Sequence, residues 1–265
     1  MNSLTYHDLQ FALLRTPKQL LEIMKRREWS GKIFIGGGFL RSIVAGDPVN
    51  DVDVFCGSKD DAERLRETLA AETESRVWTT DNAFTILGTN PPIQIIHRWS
   101  FGSGPSVADS FDFTCCCAAF WFDRHGDGAP DDVDNGGTGK WRSYCDSRFY
   151  CDVAGKRLIY RNPVRNEDAG GSMLRVLKYY QKGYRIPLDS LADVITRLVQ
   201  GVEFGSNGFD ITVGPDGVPF VSPEATRTFS RIICGLLREV DPQIDPGHVA
   251  HLPAENTREP LAGPQ

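Results

Sequence analysis

No stretch of this 265-residue chain is apolar enough to cross a bilayer, and its N-terminus lacks the apolar core of a signal peptide. Both absences predict a cytoplasmic protein with no membrane partner. A basic excess is missing as well: the net charge is −6, which argues against a generic nucleic-acid binder. From Glu239 onward five acids and one base hold −4 of that charge, leaving −2 for residues 1–238, so a local basic groove is compatible with the composition. The seven cysteines are odd in number and lack paired Cys-x-x-Cys spacing. They read as reduced thiols, and Cys115-Cys116-Cys117 as small core residues of a strand. There is no internal repeat. The length holds one large domain, or a head with a small helical appendage.

What is present is concentrated between Ile33 and Phe55. An apolar strand (Ile33-Phe34-Ile35) runs into Gly36-Gly37-Gly38, then a short helix through Arg41, a Gly46-Asp47-Pro48 turn, and a second apolar strand entered through Asp51-Val52-Asp53. Side chains alternate along a strand, so Asp51 and Asp53 project from one face, two residues apart. Carboxylates so placed share a pair of divalent cations, as in-line phosphoryl or nucleotidyl displacement requires. Glycines permit close backbone approach, and a helix N-terminus offers N–H groups to a phosphate. The plain alternatives are a solvated acidic turn and a tight glycine turn. Arg41 has two readings, a phosphate contact or an ion pair with Asp51 or Asp53.

In this order and spacing, Gly37-Gly38-Phe39-Leu40-Arg41 (or Gly36-Gly37 one step earlier), Gly46-Asp47-Pro48 and Asp51-Val52-Asp53 resemble the catalytic head of the polymerase-β-like nucleotidyltransferase superfamily, closest to the branch of tRNA CCA-adding enzymes and bacterial poly(A) polymerases. Ser110-Phe111-Asp112-Phe113-Thr114 resembles that branch's Arg-Arg-Asp-Phe-Thr block without the paired arginines. The segment Ser172 to Ile186 resembles its neck helix, with lysine for arginine at 178. The resemblance covers roughly residues 30 to 200. It implies Asp51, Asp53 and Asp112 as catalytic and metal carboxylates for two Mg²⁺. It implies Gly36, Gly37, Gly38, Arg41, Arg175, Lys178 and Lys182 as nucleotide contacts. For Asp112 a ribose-contacting role and a structural ion pair stand as alternatives; for the three cations at i, i+3 and i+7 the alternative is a solvated helix face.

The rest of the pattern predicts an α/β (α+β) fold, a small mixed sheet flanked by helices with a helical C-terminal appendage. Helices are expected over Pro17–Trp29, Ser58–Glu74, Gly171–Gly183, Pro187–Gln200 and Pro223–Val240. A hairpin is expected from Ala83–Leu87 with Ile93–His97, a strand from Phe111 to Phe122, and a second hairpin from Phe209–Val213 with Val218–Val221. The aromatics Trp141, Tyr144, Phe149 and Tyr150, interleaved with basic residues, stack on bases or pack a hairpin. Asp131 to Asp134 reads as a solvated loop, and His248-x-x-His251 as tail without a metal role. The expected organisation is a catalytic head over 1–165 with a loop-rich insertion at 123–150, a neck-like helical domain over 166–240, and a disordered tail over 241–265.

The resemblance implies transfer of a nucleoside monophosphate from an NTP to an acceptor hydroxyl, with an RNA or tRNA 3′ end as acceptor and pyrophosphate released. Helical body and tail domains have no room after residue 240, and Glu167-Asp168-Ala169-Gly170-Gly171 does not supply the arginine of the family's base-selecting element. CCA addition as such is therefore not expected. Two further readings stand: nucleotidylation of a protein or small molecule, and a non-catalytic nucleotide-binding module.

Overall fold

Strand β1 (Ile33–Gly36) is buried along its whole length and lies inside the sheet, with a paired strand on each side. A computed structural model of the chain describes residues 2–124, 139–161, 169–201, 211–213 and 219–221. β1 pairs antiparallel with β2 (Val52–Cys56) on one side and with β6 (Ala118–Asp123) on the other. β2 pairs parallel with β5 (Ile93–Ser100), and β4 (Ala83–Ile86), β3 (Val77–Thr79) and β7 (Lys140–Cys145) complete the sheet. The order is β3-β4-β5-β2-β1-β6-β7, mixed because only the β2–β5 pair among these is parallel. The fold is the α/β class expected, a mixed sheet flanked by helices.

One face carries Ile33, Ile35, Val52, Val54, Ile86, Ile93, Ile95 and Phe120, all buried. Helix α4 (Lys59–Thr73) packs against it through Ala62, Leu65 and Leu69, each of the two leucines contributing about 1.5–3 kcal/mol by burial. As the sequence predicts, Ser58 caps α4: its hydroxyl accepts from the Asp61 N–H at 3.0 Å. On the opposite face α5 (Gly104–Asp109) covers β1, β6 and β7. A Cβ at Gly104 would lie 2.1 Å from the Trp121 ring, so only glycine lets that helix sit so close.

Several elements differ from expectation. The helix expected over 17–29 is α2 (Lys18–Met24) followed by a 3-10 turn at Arg27–Trp29, and an unforeseen helix α1 (Tyr6–Arg15) precedes it, capped by Thr5. The strand expected from Phe111 begins only at Ala118, because Thr114–Cys116 forms a 3-10 turn. Trp141 packs across the antiparallel β6–β7 pair on Phe120 and Phe122, at 5.9 and 5.0 Å between ring centroids, as hairpin packing requires, whereas Phe149 and Tyr150 lie in helix α6 (Phe149–Ala154). The β4–β5 hairpin, α7 (Ala169–Gln181), α8 (Leu188–Gly201) and the hairpin of β8 (Ile211–Val213) with β9 (Pro219–Val221) follow the sequence reading. The expected 223–240 helix, the tail, His248, His251 and Asp131–Asp134 lie outside the described residues.

The chain divides into two compact units, one of residues 1–165 with 185–190, the other of 166–184 with 191–265. In the first, Leu158 N–H donates to the Arg185 carbonyl (2.9 Å) and Tyr160 N–H to Ser190 Oγ (3.1 Å), so the short return segment is tied in by backbone hydrogen bonds. Among the described residues no helix is long and apolar enough to cross a membrane.

Candidate active site

Helix α3 (Gly38–Ala45) starts where β1 stops, and the turn between them is dictated by crowding. A Cβ at Gly36 would stand 2.7 Å from the Ala118 carbonyl oxygen, and one at Gly37 would stand 2.7 Å from two Phe111 ring atoms. Gly37 also has φ of +73°, which a side chain rarely adopts. The glycines thus have a packing reason of their own. The same geometry leaves α3 without a side-chain cap, so its first-turn N–H groups point out of the helix end beside a half-exposed Gly38.

Arg41 is 1% exposed. Its guanidinium donates to Asp47 Oδ2 at 2.6 Å and to Ser42 Oγ at 2.7 Å. Arg41 thus has an ion pair with Asp47, a residue the motif reading had placed only in the turn. It ties the Gly46-Asp47-Pro48 turn to α3, together with the Asp47 N–H donated to the Ser42 carbonyl (3.0 Å). That turn delivers the chain to Asp51.

Asp51 is exposed immediately before β2, and Asp53 is half-buried within it. Entry into the strand is fixed by the Val52 N–H donated to the Pro92 carbonyl at 2.9 Å. Asp53 lies in register with Gln94 of β5, Gln94 with Thr85 of β4, and Thr85 with Trp78 of β3. Register partners share a face, so these four side chains form one row across the sheet. The row is open: Asp53, Gln94 and Thr85 are half-exposed and Trp78 is 64% exposed, while Val52, Ile93 and Ile86 behind them are buried. Gln94 and Thr85 were missed from sequence. The signal was there, a polar residue interrupting the apolar run Ile93 to Ile96 in the strand next to Asp53.

Asp112 stands apart in kind. It is 2% exposed, in the bend before the 3-10 turn, and its carbonyl accepts from the Arg161 N–H at 2.9 Å. Phe111 and Phe113 flank it, and Cys117 Sγ donates to the Phe113 carbonyl at 3.3 Å, which holds the bend closed. Among the described residues no three His, Cys, Asp or Glu side chains group closely enough to hold a metal ion. A second buried carboxylate is Asp152. It accepts from Thr114 Oγ1 (2.6 Å) and from Arg148 Nε and Nη2 (3.1 and 3.0 Å).

The cysteines are free among the described residues, and all but Cys151 are buried. Burial, helped by the nearby Asp61 charge, pushes the Cys56 thiol up to about 12, and burial with Asp146 pushes Cys145 up to about 11. Neither is a nucleophile near neutral pH. Tyr150 hydroxyl donates to Asp8 at 2.7 Å and accepts from the Thr5 N–H at 2.8 Å, and Phe149 is fully buried, so these aromatics pack the unit. In the second unit Arg175 is half-exposed on α7 and Lys178 exposed. Lys182 lies past the helix end with its ammonium 5.9 Å from the Tyr179 ring centroid.

Solved structures to which the chain is similar include CCA-adding enzymes. One, the Thermotoga maritima CCA-adding enzyme complexed with tRNA, is 16% identical, with a TM-score of 0.45 over 89% of this chain and 56% of that one. A CCA-adding enzyme with CTP is 14% identical, with a TM-score of 0.48 and the same coverages. The chain thus spans little more than half the length of these enzymes. The sequence profile of the Gabija anti-defense 2 family matches residues 15–156, over half of the chain, and the protein belongs to that family. The motifs had not pointed to it. A Bacillus phage SPbetaL7 protein, Gabija anti-defense 2, is 30% identical over 105 residues. These are 40% of this chain and 25% of the phage protein, so the match spans a quarter of that relative.

Proposed function

We propose that this protein is a metal-dependent nucleotidyltransferase that moves a nucleoside monophosphate from an NTP to an acceptor hydroxyl, releasing pyrophosphate, in the service of phage anti-defence. The observation that carries the reading is Asp53 on the open sheet face with Asp51 exposed beside it, at the strand entry that follows the uncapped α3. Two carboxylates fit a magnesium–nucleotide complex, since Mg²⁺ is commonly held by one or two carboxylates plus substrate phosphates. Asp51 and Asp53 would hold two Mg²⁺ ions, which would supply neutralisation of triphosphate charge and a lowered pKa for the attacking hydroxyl. The first-turn N–H groups of α3 receive phosphate oxygens, and the Arg41–Asp47 pair fixes the turn that aims Asp51. By resemblance Asp112 serves as the third carboxylate, and Arg175, Lys178 and Lys182 contact the nucleotide.

The proposed organisation is a head over 1–165, a neck-like helical domain over 166–240 and a tail beyond. The free thiols fit a cytoplasmic setting. The proposed acceptor is an RNA 3′ end. A second reading, nucleotidylation of a protein or small molecule of the defence system, is favoured by the family's name and by the net charge of −6.

The test supplies each α-³²P-labelled NTP with Mg²⁺, cellular RNA and lysate protein, with Asp53→Ala as control. Label in RNA that the variant does not give is the expected result. Label confined to protein or a small product moves the assignment to the second reading, and no label above the control refutes transfer altogether.

A further inference from the structure

The row that starts at Asp53 does not end at the site. It continues through Gln94 and Thr85 to Trp78 on β3, the edge strand of the sheet, three strand spacings or about 14 Å away. A second row lies beside it. The Leu87 N–H donates to the Arg76 carbonyl at 3.2 Å, which continues the β3–β4 ladder, and Arg76 and Leu87 fall on the same face as Trp78 and Thr85 by the two-residue alternation. Arg76 is exposed and Leu87 is 53% exposed. An indole, a guanidinium and an aliphatic side chain are thus presented together at the sheet's edge, on the face that carries the carboxylates.

We propose that this open face of β2, β5, β4 and β3 seats the single-stranded 3′ end of an RNA acceptor. The terminal hydroxyl lies at Asp53, a base stacks on Trp78, and a backbone phosphate rests against Arg76. The proposal rests on the nucleotidyl-transfer reading for where the 3′ end points. Three observations favour this occupant. The face is continuous with the carboxylate site. Its edge pairs a flat aromatic with a cation, the combination by which proteins track single strands, in a chain whose overall charge is otherwise acidic. And β3 has only three residues, a short template for adding a peptide strand.

The test is fluorescence anisotropy of a 5′-fluorescein 12-nucleotide single-stranded RNA with the full chain, in the absence of NTP, alongside transfer of α-³²P-NMP to the same oligonucleotide. Trp78 is exposed, so Trp78→Ala keeps the wild-type melting temperature. It weakens RNA binding about tenfold, within the range that loss of one stacked base gives, while Trp78→Phe restores most of it. Arg76→Ala weakens binding and lowers the slope of log K against log salt by about 0.7, one phosphate contact. Wild-type affinity in Trp78→Ala overturns the proposal, as does tighter binding of DNA of the same sequence or of a lysate peptide acceptor. Asp53-dependent transfer with an unchanged acceptor KM in Trp78→Ala removes the platform and leaves the transfer reading intact. Trp78-dependent binding without transfer does the reverse.

Discussion

Asp152 and Asp53 belong to the same unit and differ in almost everything that matters. Asp152 is sealed from solvent, with a hydroxyl and both arms of an arginine satisfying its oxygens. Asp53 lies half-open on a sheet face whose reverse side is closed by apolar side chains. A buried carboxylate is retained only where its partners compensate its desolvation, and it then fixes local structure. A carboxylate at an open strand entry can be reached by a ligand from solvent. The contrast teaches that acidic residues in this chain sort by what surrounds them, not by their proximity in sequence to a motif.

Substitution at the two positions should separate these roles. Asp53→Asn is expected to reduce nucleotidyl transfer at least a hundredfold, above 2.7 kcal/mol of transition-state stabilisation, with stability changed by less than about 0.5 kcal/mol. Equal transfer rates would break the comparison. Asp152→Ala should do the opposite, lowering denaturant stability by about 2–4 kcal/mol through the unpaired Thr114 hydroxyl and the vacated space, with residual folded protein still active. A smaller loss is expected for Gly37→Ala, about 1–3 kcal/mol, because the new Cβ meets the Phe111 ring and the left-handed backbone. Differential scanning measures both.

The smallest effect concerns the sealed thiols. Cys56 and Cys145 titrate above the ordinary thiol range, so at pH 8 they stay protonated and unreactive. Iodoacetamide on the native protein should modify the exposed Cys151 and spare those two, as read by peptide mass. The sign for stability follows: above about pH 9 the unfolded chain releases thiol protons that the folded chain keeps, so stability falls as pH rises through that window.

The strands that place the candidate site were legible because each is a short apolar run bounded by turn residues. β1 and β2 were bracketed by glycine and Gly-Asp-Pro, and β4 and β5 by Gly88 to Pro92. The run from Phe111 to Phe122 was misread because continuous apolarity does not distinguish a strand from a buried bend. There the Thr114 hydroxyl, bonded to Asp152, takes the chain out of extended conformation. Helix α1 escaped notice since it leaves Tyr6, Phe11 and Leu14 exposed, blurring its apolar period. Arg41's partner and the Asp53–Gln94–Thr85–Trp78 row are tertiary facts, set by a turn closing back on a helix and by strand register across a crossover.

The most direct measurement is electron paramagnetic resonance of free Mn²⁺ titrated with the protein and a non-hydrolysable NTP analogue. Wild type should deplete the free-ion signal in a nucleotide-dependent way, and the Asp51→Asn/Asp53→Asn double variant, folded to the same melting temperature, should not. Equal depletion by the double variant would contradict the assignment of these two carboxylates as the metal–nucleotide platform.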